Sequence, residues 1–328
     1  MVSRRAGLAL LAAVVLVTAA APLVATHDPG TQFSNYVLAP PMWPRLVDAT
    51  GAWRGPFVYP IRLEDRLARV YSVDRSRPEP LRWLRSGKLV TTAGTPWFPF
   101  GTDALGRDVF ARLVLGARLS LGVAGLAALG ALVLGALVGG VSGVLGGPAD
   151  TALMKLADFV VALPAIYVVL TLRAALPLVL PTSTVFWTMT GVLAVVGWPV
   201  VARGVRAIVA GESRREYAEA ARAGGASRTR LLLRHLLPAT AGFLATQATL
   251  LVPGFILAEA TLSYVGLGFV EVVPSWGVML RDAAEGRMLA EAPWLLTPAI
   301  AIAITVLSVN LIANGRGRSL PQRNDGHK

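Results

Sequence analysis

From Leu119 to Ala149 the chain carries no charged side chain, and further apolar runs lie at 6–25, 159–180, 185–202, 236–258 and 292–313. A helix needs about 20 apolar residues to cross roughly 30 Å of hydrocarbon. In lipid a helix satisfies its own backbone hydrogen bonds, so runs of this length constrain the fold more than any other feature. The composition agrees: 54% hydrophobic and 15% charged residues, against about 25% charged in soluble domains. The runs predict an all-α polytopic membrane protein with six transmembrane helices.

The charges orient these runs. Arg4 and Arg5 precede the first one, which places the N-terminus on the cytoplasmic side. The alternative is a cleaved signal peptide, because small residues stand at 19–21. Residues 27–100 hold ten Arg and Lys against six Asp and Glu, with motifs such as Pro40-Pro41-Met42-Trp43-Pro44. They read as an external segment of loops and short elements; a loop this long escapes the positive-inside rule. The tail carries Arg316, Arg318, Arg323 and Lys328 against Asp325, which suits a cytoplasmic C-terminus. The expected organisation is a membrane helix at 1–25, an extracytoplasmic segment at 26–100, a five-helix core at 101–315 with a cytoplasmic loop at 203–238, and a tail at 316–328. The net charge of +12 is spread over several loops rather than one stripe, so topology explains it better than nucleic-acid binding. With no cysteine, disulfides, thiol catalysis and cysteine metal sites are excluded.

Within the runs some residues stand out. Gly135, Gly139, Gly143 and Gly147 recur every fourth position, a face that lets a neighbouring helix approach closely. Asp150, Lys155 and Asp158 mark a cytoplasmic turn. In the third run Pro164 and Pro177 predict kinks, and kinked spans can line a path. Arg173 lies in the same run, about 22 Å along a helix from Asp158 at 1.5 Å per residue. That depth suits snorkelling to the outer face as well as solute contact. Glu259 is expected at the outer end of the fifth span.

The main polar feature is an island reading EYAEAARAGGASRTRLLLRHLLP from Glu216 to Pro238. Eight arginines and three glutamates lie between Arg203 and Arg234, so it belongs outside the bilayer, on the cytoplasmic side. Residues 216–223 form helix readily, with Arg215 and Glu219 spaced for an i, i+4 pair. Gly224 and Gly225 should end that helix, Ser227 should cap a second one from Arg228, and Pro238 should close the island. The small side chains of Ala220 and Ala221 leave room for another backbone.

This pattern resembles the EAA loop of ABC importer permeases, matching at Glu219, Ala220, Ala221, Gly225, Leu237 and Pro238, with His235 where that family has a β-branched residue. Two further segments resemble one subgroup, the second permease subunit of dipeptide, oligopeptide and nickel importers. One is Gly101-Thr-Asp-Ala-Leu-Gly-Arg-Asp, continuing to Gly116-Ala-Arg-Leu-Ser-Leu121. The other is Glu259-Ala-Thr-Leu-Ser-Tyr-Val-Gly-Leu-Gly, continuing to Pro274-Ser-Trp-Gly-Val-Met-Leu280, with Tyr264-Val265 replacing Phe-Leu. The resemblance implies a type I ABC importer permease fold in the inner membrane of a prokaryote. It implies a homologous permease partner, two ATP-binding subunits and an extracytoplasmic solute-binding protein. Residues 219–221, 225, 237 and 238 would couple to the ATPase, and Pro164, Arg173 and Glu259 are candidates for the path or its gating.

The chain has no GxxxxGK[ST] phosphate loop, no HExxH helix and no GxSxG elbow. The expectation is therefore a non-enzymatic chain with no catalytic residues, metal or cofactor of its own, ATP and Mg2+ being bound by partner subunits. Membrane lipids are the remaining partner. Two other classes stand beside this reading. An ion-coupled secondary transporter should show paired intramembrane acids or an internal repeat, and neither is seen. A membrane scaffold would tolerate loss of the loop's geometry.

Overall fold

The computed structural model describes residues 2–317 other than 67, 86, 165, 166, 169, 170, 172–179 and 285–287. Among them, four helices are long and apolar enough to cross a membrane: Val109–Leu145, Thr182–Glu212, Ala241–Tyr264 and Pro293–Ala313. The first apolar run is also helical, as α1 (Val2–Ala19) followed by the short α2 (Ala21–Val24). Most of the third run, with Arg173 and Pro177, lies outside the described residues.

Two compact units are distinguished, one holding residues 2–7, 122–259 and 308–317 and the other residues 8–121 and 260–307. The first unit contains most of α3 (Val109–Leu145), α4 (Gly147–Ala162) and α5 (Thr182–Glu212), and most of α9 (Ala241–Tyr264). The glycine stripe sets its central crossing. A Cβ on Gly135 would stand 2.4 Å from the Cβ of Val201, and one on Gly143 would stand 2.9 Å from that of Val209. Gly135, Gly139 and Gly143 thus serve helix packing within this chain, α3 against α5, whereas Gly147 lies past the end of α3 at φ +59° with open space at its Cβ. Ala157 of α4 packs with Trp198 and Ala202 of α5.

Pro164 does not bend a continuous helix. The α4 helix ends at Ala162, and Leu163 is extended at φ −80°, ψ 115°, because a residue before proline is pushed out of the helical region. The Pro164 carbonyl then accepts from the amide of Tyr167 at 2.9 Å, opening a new turn. Glu259 is likewise not at the end of its span. The helix starts only at Ala241, since residues 228–239 are occupied by the preceding helical turns, and it runs on to Tyr264. Glu259 is buried within it.

The second unit departs from an all-α reading. Among the described residues, its segment at 26–100 carries seven short strands: β1 (Arg45–Val47), β2 (Trp53–Val58), β3 (Ile61–Asp65), β4 (Val70–Val73), β5 (Glu79–Pro80), β6 (Arg82–Arg85) and β7 (Lys88–Thr91). They form an antiparallel sheet β1-β2-β5 and two hairpins, β3-β4 and β6-β7. Turn residues between short runs of Val, Tyr, Trp and Phe make hairpins here. A small core of Ala39, Met42, Val58, Ile61 and Phe98 lies under them.

The rest of the second unit is organised by the segment Gly101–Asp108. Gly101 and Gly106 both adopt φ +71°, and a Cβ on Gly106 would meet the Phe33 carbonyl at 2.4 Å. Asp103 Oδ1 accepts from the amides of Leu105 and Arg107, both at 2.9 Å. Asp108 caps α3, its Oδ1 accepting from Phe110 N at 2.9 Å and Ala111 N at 3.3 Å. Its other oxygen accepts from the Thr26 hydroxyl and lies 2.7 Å from His27 Nδ1. Asp103, Arg107, Asp108 and Arg112 are all buried.

Candidate functional site

The island at 216–238 builds an elbow in the first unit. Its first helix, α6 (Glu216–Ala223), ends as the paired glycines dictate. Gly225 takes φ +80°, with Gly225 N donating to Arg222 O at 2.9 Å and Ala226 N to Ala221 O at 3.0 Å. This is the double hydrogen-bonded helix stop that needs a left-handed residue. Nothing stands within 4 Å of a Cβ built on Gly225, so backbone conformation rather than space calls for glycine. The turn leads to α7 (Arg228–Leu231), capped by Ser227, whose Oγ accepts from Arg230 N at 3.3 Å.

Pro238 acts differently from a simple stop. Residues Leu232–Leu236 form a π-helical turn, with Leu237 N bonded to Leu232 O, and α8 (Leu237–Ala239) follows directly. Proline lacks an N–H and clashes with the carbonyl four residues back, and a widened turn relieves both problems. His235 sits half-buried inside that turn.

One side of the elbow is an apolar foot. Ala218, Leu231, Leu232 and Leu236 are buried against Val201, Val205 and Val209 of α5, with Ala221, Leu237 and Phe243 packed around them. The other side is open: Glu216, Glu219, Ala220, Arg222 and Arg228 are exposed. Of the residues singled out from the sequence, Ala221 and Leu237 face inward, while Glu219, Ala220, Gly225 and Pro238 lie on the open side. The structure does not pair Arg215 with Glu219. Arg215 instead meets Glu212 at 3.1 Å, since it precedes the helix in an extended conformation.

Polar tethers hold α6 to the end of α5. Arg222 Nη2 donates to the Ser213 carbonyl at 2.7 Å, and the Tyr217 hydroxyl donates to Glu212 Oε2 at 2.8 Å. Burial pushes the Tyr217 phenol up, and the carboxylate it donates to pushes the same way. Behind the elbow, α4 is clamped to α5. Arg206 meets both oxygens of Asp150 at 2.5 Å, and Arg203 meets Asp158 at 2.6 Å. The Arg206 and Ser142 side chains hold the Asp150 carboxyl below its usual value. Ala218 and the Asp150–Arg206 pair were missed from sequence. For Ala218 the available signal was its i, i+3 spacing to Ala221 on one face of α6.

A buried ionic cluster forms in the second unit. Arg107 Nε lies 2.6 Å from Asp103 and its Nη2 3.0 Å from Asp282. Arg112 reaches Asp282 at 3.4 Å and Asp103 at 3.7 Å, and both arginines donate to the Glu271 carbonyl. Burial pushes the Asp282 carboxyl up, against the pull of Arg112 and Arg107. Trp276 is buried, donating from Nε1 to the Leu113 carbonyl at 3.1 Å. It opens α10 (Trp276–Ala284), which Ser275 caps. No cluster of His, Cys, Asp and Glu among the described residues could hold a metal ion.

Apolar helices long enough to span a membrane, beside an anchored elbow with a polar outer side, fit a polytopic membrane permease. The chain belongs to the binding-protein-dependent transport system inner membrane component family, the permease subunits of ABC importers, whose model matches residues 131–324. It is 39% identical over 217 residues to the oligopeptide transport system permease protein OppC of Bacillus subtilis, covering 66% of this chain and 68% of that one. It is 38% identical over 216 residues to the dipeptide transport system permease protein DppC of the same organism, covering 66% of each. The OppC protein of Haemophilus influenzae is 35% identical over 219 residues, 66% of this chain and 67% of that protein.

Proposed function

We propose that this permease subunit forms the solute path of an importer for dipeptides or oligopeptides, together with a homologous permease. Relatives named as oligopeptide and dipeptide permeases support that solute class. In this reading α1 and the run at 159–180 also span the membrane, making six spans, with both termini and the elbow in the cytoplasm and residues 26–100 outside. A solute-binding protein delivers the peptide from outside. Two partner subunits bind ATP and Mg2+ and dock on the elbow.

The observation that carries the mechanism is the two-sided elbow, with Ala218, Leu231 and Leu236 buried on α5 and Glu219 exposed. When the ATPases close, force on Glu219 and Ala220 passes through the foot to Val201, Val205 and Val209. It then reaches α3 through the glycine crossing and α4 through Asp150–Arg206. A packed interface of this kind shifts as a body rather than deforming continuously. Hydrolysis and ATPase opening reset it.

The test uses the complex reconstituted with its ATPases and binding protein. Glu219→Lys and Gly225→Pro should abolish solute-stimulated ATP hydrolysis and uptake while leaving the permease pair assembled. Wild-type levels of both would refute the assignment.

A further inference from the structure

The β6–β7 hairpin is unlike the rest of the external segment. Arg82, Arg85 and Lys88 are its only charged residues, with no acid between 82 and 91. Trp83 is 59% exposed and Leu84 80% exposed. Leu84 also adopts φ +52°, a conformation that is unfavourable for a branched side chain. That strain is not offset by packing within the chain, since the side chain it displays is open.

The hairpin is also tied to the outer end of the first apolar run. Strand β7 packs on α2, and Lys88 Nζ donates to the Pro22 carbonyl at 3.4 Å. Pro22 lies just where a 20-residue apolar run leaves hydrocarbon. At that depth tryptophan is favoured at the boundary, and arginine and lysine meet phosphate.

We propose that this hairpin seats on the outer leaflet. Leu84 and Trp83 enter the headgroup layer, and Arg82, Arg85 and Lys88 bind the phosphates of anionic phospholipids. The contact would hold the external segment against the membrane beside α1. It rests on the outward placement of residues 26–100.

The chain has no cysteine, so Leu84→Cys gives the purified permease subunit a single site for an environment-sensitive fluorophore, attached before the importer is reconstituted. The vesicles are phosphatidylcholine with and without phosphatidylglycerol. Lipids with a nitroxide near the headgroup should quench the label, more strongly when phosphatidylglycerol is present. Neutralising the charge by Arg82→Gln should weaken the added, phosphatidylglycerol-dependent binding read by that quenching by about fivefold. Quenching by aqueous iodide without quenching by lipid would overturn the proposal. So would a signal that changes only when the binding protein is added, which would make the hairpin a protein-docking surface. A second variant, the exposed Arg75→Cys, reports topology through a membrane-impermeant thiol reagent. Labelling from the cytoplasmic side would overturn both readings, whereas external labelling with no lipid quenching at position 84 would overturn this one alone.

Discussion

A Cβ atom on Gly139 would stand 2.3 Å from the carbonyl oxygen of Ala202. The two helices α3 and α5 therefore meet backbone to backbone at this point, and glycine is the side chain that allows it. Gly139→Leu should force them apart at a cost of about 1–3 kcal/mol or more. Gly191, on α5 with nothing within 4 Å of a Cβ, is the control. Gly191→Ala should be neutral or stabilise by about 0.5–1 kcal/mol. Thermal unfolding of the solubilised permease checks both; equal effects would refute the close crossing.

At the elbow, Gly225→Ala should cost roughly 1–2 kcal/mol in the left-handed conformation, and Gly225→Asn less. Ala218→Glu should do more harm than either, because it places a charge in the apolar foot at a fully buried position. Rates of solute-stimulated ATP hydrolysis and uptake should fall in the order Asn, Ala, Glu. If Ala218→Glu couples normally, the foot does not transmit force.

The Asp150 clamp carries a pH dependence. Arg206 first, then Ser142, hold its carboxyl below the usual value. A depressed carboxylate contributes stability above its unfolded pKa, near 3.9, and loses it as pH falls through the lower folded value. Asp150→Asn should therefore lower the Tm at pH 7. The gap from wild type should narrow below about pH 4. A gap that does not change on acidification would show that the ion pair is not its source.

In the second unit, Arg107→Met should leave buried carboxylates without their cation, a loss of about 3–5 kcal/mol. Arg107→Lys keeps the charge but not the planar fork that reaches Asp103 and Asp282 at once. The yield of folded permease should rank wild type, Lys, Met. Equal yields would show that the cluster does not support the fold.

Glu259 is buried within α9, and an acid inside a span is where ion coupling would act. In an ATP-driven permease, Glu259→Gln should still show uptake that needs ATP and survives collapse of the proton gradient. Uptake that vanishes in this variant, together with wild-type uptake that follows the proton gradient, would favour an ion-coupled transporter.

The parts of this protein readable from sequence are those whose cause is local along the chain. The apolar runs among the described residues, the four-residue spacing of Gly135, Gly139 and Gly143, the helix stop at Gly225 and the Ser227 cap depend on neighbours a few residues apart, and these appear in the structure. Tertiary packing decided what lies between distant residues. Asp282 joins Arg107 across 175 positions, and Arg206 joins Asp150 across 56, pairings that no spacing rule announces. The seven strands described between residues 45 and 91 are short and mostly exposed, so burial imprints little alternation on their sequence. The inward turn of Ala218, and the widened turn before Pro238, follow from the surface of α5 on which the elbow is packed. Local steric preference and hydrophobic run length are properties of the chain alone, whereas burial and charge pairing exist only once distant segments meet.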